Sequence, residues 1–239
     1  MDLEPSQPAS TPTSAPSPVL PTSTPGTSST ATATPTAVSL PTDTPLASFT
    51  ATPTPTVLPT STPVPYAPGV CLTAEETELA RLINEHRHNH GLPDAPLSRS
   101  LSYVAQVHVR DLEDHRPHQA TDESGQQCNM HSWSDQGNWT PVCYTPDHKN
   151  ASGMWEKPGE LTDYPGRGYE NSYSHSLRAT AEGAITGWKN SPAHNAVIIE
   201  EGIWAGKNWQ AMGIGIYGKY AVVWFGEEPD SEGTIPPCP

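Results

Sequence analysis

The sequence predicts an α+β domain that follows a long disordered stalk. Three stretches combine a helix cap with helical spacing of apolar residues, and two apolar segments near the C-terminus have the pattern of β-strands. Helices that precede and lie among a few antiparallel strands are typical of a layered α+β domain, because each element must bury its apolar face against another layer. We assign residues 1–68 to the stalk and residues 69–239 to the domain.

The predicted stalk consists almost entirely of Pro, Ser, Thr and Ala. No Lys or Arg occurs before Arg81, and Phe49 is the only Phe in the stretch. Such a segment buries too little apolar surface to offset the entropy of ordering its backbone, so we expect a disordered or polyproline-II-like chain. It would hold the domain away from a surface or link it to a further domain. All seven Trp, four Cys and ten His lie in the remainder, which is long enough for one core.

The chain is acidic, with a formal net charge of −14 at pH 7. Only three acidic residues (Asp2, Glu4 and Asp43) and no basic ones lie in the stalk, so about −11 of that charge falls on the domain. Phosphate contacts need Lys and Arg, so nucleic acid and anionic membranes are excluded as main partners. No run of about 18 apolar residues occurs, so no membrane span is predicted. We expect a monomer.

The four cysteines, Cys71, Cys128, Cys143 and Cys238, lack the spacing of a zinc ribbon. An even number of cysteines in a domain behind a Pro/Thr stalk indicates disulfides and an oxidising compartment. Of the three possible connectivities we favour Cys128–Cys143 with Cys71–Cys238. The alternative is four buried free thiols in a cytosolic protein.

Two of the helices have recognisable ends. Thr73 and Glu76 have the spacing of a capping box, and Gly91 is placed to end the helix that follows. A later helix is capped near Thr180 and stops before Pro192. The pattern predicts that both pack through one apolar stripe.

A further helix carries a histidine on its inward face. Ser98 or Ser100 is positioned to cap it, and His108 shares a stripe with Leu101 and Leu112. A lone histidine on such a stripe is more often a hydrogen-bonded core residue than a ligand, and we interpret His108 in that way.

Residues 128–169 are rich in Trp, Pro, Asp and Gly and show little periodicity. Trp133, Trp139 and Trp155 are too large to leave in water, so we predict an ordered insertion packed by its own aromatic rings. We expect the Cys128–Cys143 disulfide to anchor it and expect no regular elements within it. A loop of such length usually carries function.

Two strands are predicted to close the chain. Residues 211–217 alternate small and large side chains, and residues 219–225 are nearly continuously apolar. Gly218-Lys219 suits a tight hairpin turn between them.

Five short motifs follow one another along the chain: Asn84…Arg87…Gly91-Leu92-Pro93, His131-Ser132, Glu170-Asn171, Trp188…Ser191-Pro192…His194 and Met212-Gly213-Ile214-Gly215…Trp224-Phe225-Gly226. Together they resemble the CAP superfamily (cysteine-rich secretory, antigen 5 and pathogenesis-related 1 proteins; the SCP/TAPS domain), over about residues 71–228. The Trp…Ser-Pro-x-His form is nearest to its bacterial members. The resemblance implies an α-β-α sandwich around a three-stranded antiparallel sheet, with secretion or surface display.

The resemblance also implies a cleft in which two His and one or two Glu converge. His131, Glu170 and His194 stand at three of those positions. The fourth position, a Glu in eukaryotic relatives, is Ser191 here. We expect Ser191 and Trp133 to border the cleft.

The chemistry of these side chains suits a weakly held divalent ion such as Zn²⁺. The imidazoles of His131 and His194 would supply two nitrogen ligands, one fewer than the three protein ligands usual for catalytic zinc. Glu170 would orient one imidazole or hold a metal-bound water, and it is the candidate catalytic residue if that water hydrolyses a substrate. Alternatively the three side chains form a hydrogen-bond network with no ion present.

These features favour an extracellular or cell-surface binding module. The resemblance suggests a small apolar ligand, such as a sterol or fatty acid, or a partner protein. One alternative is a metal-assisted hydrolase or protease that uses His131, Glu170 and His194; another is a structural spacer with a vestigial site. No signal or anchor is recognisable, so we expect it to lie outside this sequence. No Gly-x-Ser-x-Gly, His-Glu-x-x-His or P-loop motif supports a different catalytic class.

Overall fold

A computed structural model describes residues 71–239, and the predicted stalk therefore lies outside the described residues. The elements run in the order α1 (Ala74–Asn89), α2 (Arg99–Asp114), α3 (Ala151–Trp155), α4 (Lys157–Leu161), β1 (Tyr169–Ser174), α5 (Ala181–Lys189), α6 (Pro192–Ile198), β2 (Ala211–Tyr217) and β3 (Tyr220–Gly226). Short 3₁₀ turns occupy Pro117–Gln119 and Gly202–Trp204. Within this described part, no helix has the length and apolar character needed to cross a membrane.

The three strands form one antiparallel sheet in the order β1-β3-β2. Every residue of the central strand β3 is buried, which explains its nearly continuous apolar sequence. Its side chains alternate between two cores: Ala221, Val223 and Phe225 pack with α1, α5 and α6, whereas Tyr220, Val222 and Trp224 pack with α2 and the insertion. The predicted α-β-α sandwich is confirmed.

Glycines allow α2 to lie close against the sheet. A Cβ at Gly213 would sit 2.1 Å from the backbone carbonyl carbon of Leu101, and one at Gly215 would sit 2.4 Å from the carbonyl oxygen of Ala105. These two glycines are the small residues of the alternating β2 pattern. The close approach seats α2, and with it His108, directly over the sheet.

The helix ends follow local sequence signals. The Thr73 side chain accepts from Glu76 N–H in a complete capping box, and Ser98 and Thr180 cap α2 and α5 through their side-chain oxygens. Gly91, just beyond the end of α1, has φ +75, a conformation that favours glycine. All these predicted boundaries are confirmed.

Both predicted disulfides are present. Cys128–Cys143 closes a segment of 15 residues in the insertion, and Cys71–Cys238 joins positions 167 residues apart. Beside the latter, Leu72 N–H donates to the carbonyl of Pro236, so the two ends of the domain are also hydrogen-bonded.

The insertion is more regular than predicted. The expectation that residues 128–169 hold no helix is wrong, because α3 and α4 lie within them. Each has only five residues, which is too short to produce a visible apolar repeat. Packing by its own aromatic rings is confirmed: Trp133 is 1% exposed and meets Trp139 edge to face at 5.2 Å.

Candidate functional site

A buried carboxylate, Glu170 on β1, organises the site. Its Oε1 lies 2.5 Å from Nδ1 of His108, and its Oε2 lies 2.7 Å from Nδ1 of His131. The Glu170 side chain is fully shielded from solvent. Both carboxylate oxygens are therefore already engaged by imidazoles, so the Glu170 side chain serves to position the rings of His108 and His131.

His108 is an imidazolium that neutralises Glu170. Its Nε2 lies 3.0 Å from the carbonyl oxygen of Ser132, so both ring nitrogens face acceptors and both must carry protons. Burial alone would lower the pKa of His108, but the charge of Glu170 and the two hydrogen bonds outweigh it and raise the pKa. The ring also stacks on Trp133 with centroids 4.2 Å apart.

The same pairing keeps Glu170 ionised. Burial alone would raise the pKa of this carboxyl, but the charge of His108 and the hydrogen bonds from His108 and His131 lower it. The buried pair of His108 and Glu170 therefore carries no net charge. Two charges removed from water are tolerated only when each neutralises the other.

His131 presents one free nitrogen to the cleft. Because the Glu170 carboxylate accepts from Nδ1–H, the neutral ring has its lone pair on Nε2. Within residues 71–239 the His131 ring makes no other hydrogen bond, and its side chain is 18% exposed. Its backbone N–H donates to Oδ1 of Asn129, which helps to set its position.

His194 reaches the site from the opposite side of the sheet. Glu170 pairs with Trp224 in the sheet register and shares its face, so the next residue, Asn171, points to the other face. There the Asn171 amide donates to the carbonyl of His194 at 2.8 Å, which links β1 to α6. His194 Nδ1 lies 2.8 Å from Oγ of Ser191, and burial, together with the nearby His131, lowers its pKa.

His131, Glu170 and His194 line one open cleft of about 570 Å³. That volume is within the range of small-molecule sites. Most of the other lining side chains are apolar: Ala151, Met154, Trp155, Tyr169, Ala193, Ala196, Val197, Ile203 and Trp204. The remaining lining residues are Tyr144, His148, Asn171, Glu201 and Gly202. The lining therefore includes no Lys or Arg and no Ser, Thr or Cys.

Two residues expected at the cleft border lie elsewhere. Ser191 holds His194 but does not line the cleft. Trp133 is buried beneath the site, where it supports the ring of His108. Trp133 therefore acts on the cleft only through His108 and Glu170.

Sequence reasoning missed three side chains at the site. His108 is the hydrogen-bonded core histidine that the stripe on α2 predicts, but the stripe does not reveal its partner, Glu170. Tyr144 and His148 come from the insertion, where no periodicity marks either side chain.

The predicted metal ligands, His131 and His194, are two of the three imidazoles that line the cleft. Throughout residues 71–239, no group of three or more His, Cys, Asp or Glu side chains is arranged to hold a metal ion. His131 and His194 each engage Nδ1 within the protein, so only Nε2 of each is left for an ion. An ion held by these two nitrogens would need water to complete its coordination.

A second cavity of about 620 Å³ lies beside α3 and α4 in the insertion. Its buried ammonium, Lys157, bonds Glu160 at 2.5 Å and the carbonyl of Thr140 at 2.5 Å. Because these groups satisfy one another, this cavity offers less ligand chemistry than the histidine-lined cleft.

Comparison with solved structures finds bacterial proteins at low sequence identity. An extracellular protein with an SCP domain from Bacillus anthracis is 17% identical with a TM-score of 0.44, over 64% of this chain and 40% of that one. A cysteine-rich secretory protein from Staphylococcus aureus is 17% identical with a TM-score of 0.39, over 64% of this chain and 39% of that one. An outer surface protein from Borrelia burgdorferi is 16% identical with a TM-score of 0.41, over 64% of this chain and 91% of that one. This chain thus spans less than half of the first two proteins. No curated protein matches it.

The family assignment depends on the sequence match. The family model described as "CAP: Cysteine-rich secretory protein family" matches residues 80–206, more than half of the chain. That span contains His108, His131, Glu170 and His194 together with the insertion. The sandwich fold and the ordered motifs agree with the match, and the chain belongs to the CAP family.

Proposed function

We propose that this CAP domain is a binding module whose cleft takes up a small, neutral, apolar molecule with a hydroxyl head group, of the sterol or long-chain alcohol class. The observation that carries the proposal is the cleft itself, with mostly apolar walls and the imidazoles of His131, His148 and His194 among its lining. A few convergent polar groups in an otherwise apolar pocket are the usual arrangement for such ligands.

Charge favours an alcohol over a carboxylate as the ligand head. His131 offers a lone pair at Nε2, which accepts a hydrogen bond from a hydroxyl but repels a carboxylate oxygen. The lowered pKa of His194 keeps that ring neutral at pH 7. With Glu201 on the wall and no Lys or Arg in the lining, a fatty-acid carboxylate finds no counterion.

The lining also favours binding over catalysis. A hydrolase at this site would rely on His131 as the base, with Glu170 behind it. The lining residues include no Ser, Thr or Cys for that base to activate, which leaves water as the only nucleophile. Two disulfides support a site of action in an oxidising compartment, outside the cytosol.

The first prediction concerns ligand choice. We expect the protein to bind 1-hexadecanol more tightly than hexadecanoate at pH 7.5, measured by equilibrium binding of the radiolabelled compounds. Trp204→Ala should weaken hexadecanol binding about tenfold or more, because it removes an aromatic wall of the cleft.

Leu177→Ser is the matched control for Trp204→Ala, since Leu177 is an apolar residue that is 81% exposed and does not line the cleft. It should bind hexadecanol like the wild type. Tighter binding of hexadecanoate, or no binding of either compound, would refute the proposed function.

A second prediction concerns a divalent ion, because two imidazoles with free Nε2 atoms line the same cleft. When bound, such an ion would polarise a ligand oxygen or acidify a water. Titration calorimetry with Zn²⁺ should give weak binding to the wild type that is lost in both His131→Ala and His194→Ala. His88→Ala, at an exposed histidine on α1, should keep the wild-type heats; equal heats in all four proteins would exclude the site.

A further inference from the structure

We propose that the insertion sets the ligand specificity of the cleft through Tyr144 and His148, with His148 Nε2–H donating a hydrogen bond to the oxygen of the ligand head group. This inference rests on the proposed function and deepens it. His131 supplies an acceptor and His148 a donor, so the pair recognises a hydroxyl group, which both donates and accepts.

The Tyr144 hydroxyl defines which nitrogen of His148 carries the proton. The hydroxyl oxygen lies 2.8 Å from His148 Nδ1. A phenol is protonated at pH 7, so the Tyr144 hydroxyl can donate. An imidazole nitrogen is a better acceptor than a phenol oxygen, so the phenol donates to Nδ1 and the ring proton lies on Nε2.

The pair is held against the same cleft as His131. Tyr144 is 5% exposed, and its ring contacts the His131 ring with centroids 5.1 Å apart. Both Tyr144 and His148 line the cleft. Their segment is anchored by Cys143, whose sulfur is bonded to Cys128 and whose carbonyl accepts from the side chain of Asn150.

The backbone at His148 is held in an unfavourable conformation. Its φ is +59, in the left-handed region that costs energy for a residue with a Cβ. Hydrogen bonds from His148 N–H to Thr145 O at 3.0 Å and from Ala151 N–H to His148 O at 3.1 Å close the turn. Glycine would adopt this conformation without strain. The strain is therefore the cost of placing an exposed imidazole at the cleft, and strained residues of this kind cluster at functional sites.

The test exploits this strain. We expect His148→Gly to lower the affinity for 1-hexadecanol about fivefold to tenfold, with a thermal unfolding midpoint equal to or above that of the wild type, because glycine relieves the left-handed strain. Tyr144→Phe should lower the affinity in the same direction, because His148 is no longer oriented.

Arg116→Gly is the matched control. Arg116 also has a positive φ, of 55, but it is exposed and does not line the cleft. This variant should relieve strain and keep wild-type affinity.

Unchanged affinity in His148→Gly would overturn the specificity proposal while leaving the proposed function standing. A loss of affinity accompanied by a drop of several degrees in the midpoint would also overturn it, since it would indicate a structural role. Absence of binding by the wild type and by Arg116→Gly would refute both proposals.

Discussion

Glu170→Gln is expected to lower the free energy of unfolding by about 3–5 kcal/mol, the cost of breaking a buried ion pair by removing one partner. The substitution leaves the His108 imidazolium with no counter-charge at a site from which water is excluded. It also releases Nδ1 of His131, so the free lone pair is no longer confined to Nε2. Urea unfolding, monitored by tryptophan fluorescence, measures the stability. Hexadecanol binding reports whether the His131 ring has lost its orientation.

Glu201→Gln is the control for the Glu170 variant. Glu201 is an exposed carboxylate that lines the same cleft, so its replacement removes a charge without uncovering a buried partner. We expect its stability to change by less than about 0.5 kcal/mol, as is usual for surface substitutions. A Glu170→Gln variant as stable as Glu201→Gln would contradict the buried ion pair.

The stability difference between wild type and Glu170→Gln should also depend on pH. The pKa of Glu170 is lowered in the folded protein, so its contribution is present above the ordinary glutamate range and is lost as pH falls through the folded-state pKa. The pKa of His108 is raised, so its contribution is present below the ordinary histidine value and is lost as pH rises through the folded-state pKa. The difference in free energy of unfolding between the wild type and Glu170→Gln should therefore be largest in mildly acid buffer. It should be smaller at lower and at higher pH.

Loss of the long-range disulfide should produce an effect of similar size. Replacing Cys71 and Cys238 together by Ser is expected to cost about 5 kcal/mol, because the crosslink restricts a loop of 167 residues in the unfolded chain. Chemical denaturation without reductant, compared with the wild type, measures this loss.

The paired replacement of Cys128 and Cys143 by Ser is the comparison. That disulfide spans only 15 residues and should contribute about 3 kcal/mol. Loss of the short crosslink should weaken hexadecanol binding more than loss of the long one, because Cys143 anchors the segment that places Tyr144 and His148 in the cleft. Greater destabilisation from the short crosslink than from the long one would contradict the chain-entropy account.

Local signals in the sequence were sufficient for most elements on either side of the insertion. Thr73, Ser98 and Thr180 cap helices through hydrogen bonds to amides three residues away, so neighbouring residues decide those boundaries. The hairpin at Gly218 is equally local, since its φ of +54 suits glycine. The disulfide pairs also followed from spacing and position in the chain.

Strand β1 had no such signal. Its sequence, residues 169–174, is mostly polar, and only the family resemblance indicated a third strand. Glu170, Asn171 and Ser172 are nonetheless buried, because their polar groups are satisfied by partners from α2, α6 and α5. Those partners are distant in sequence, so no local pattern could reveal that this segment is interior.

The sequence by itself therefore determined the layered fold, the helix ends, the disulfides and, through the family resemblance, two of the three cleft histidines, His131 and His194. Only the tertiary structure decided how Glu170 is used, with both oxygens held by His108 and His131, and that the insertion adds Tyr144 and His148 to the cleft. The physical reason is that caps, turns and apolar stripes act over a few neighbouring residues. Protonation, tautomer and burial depend instead on groups that folding brings together from positions tens of residues apart.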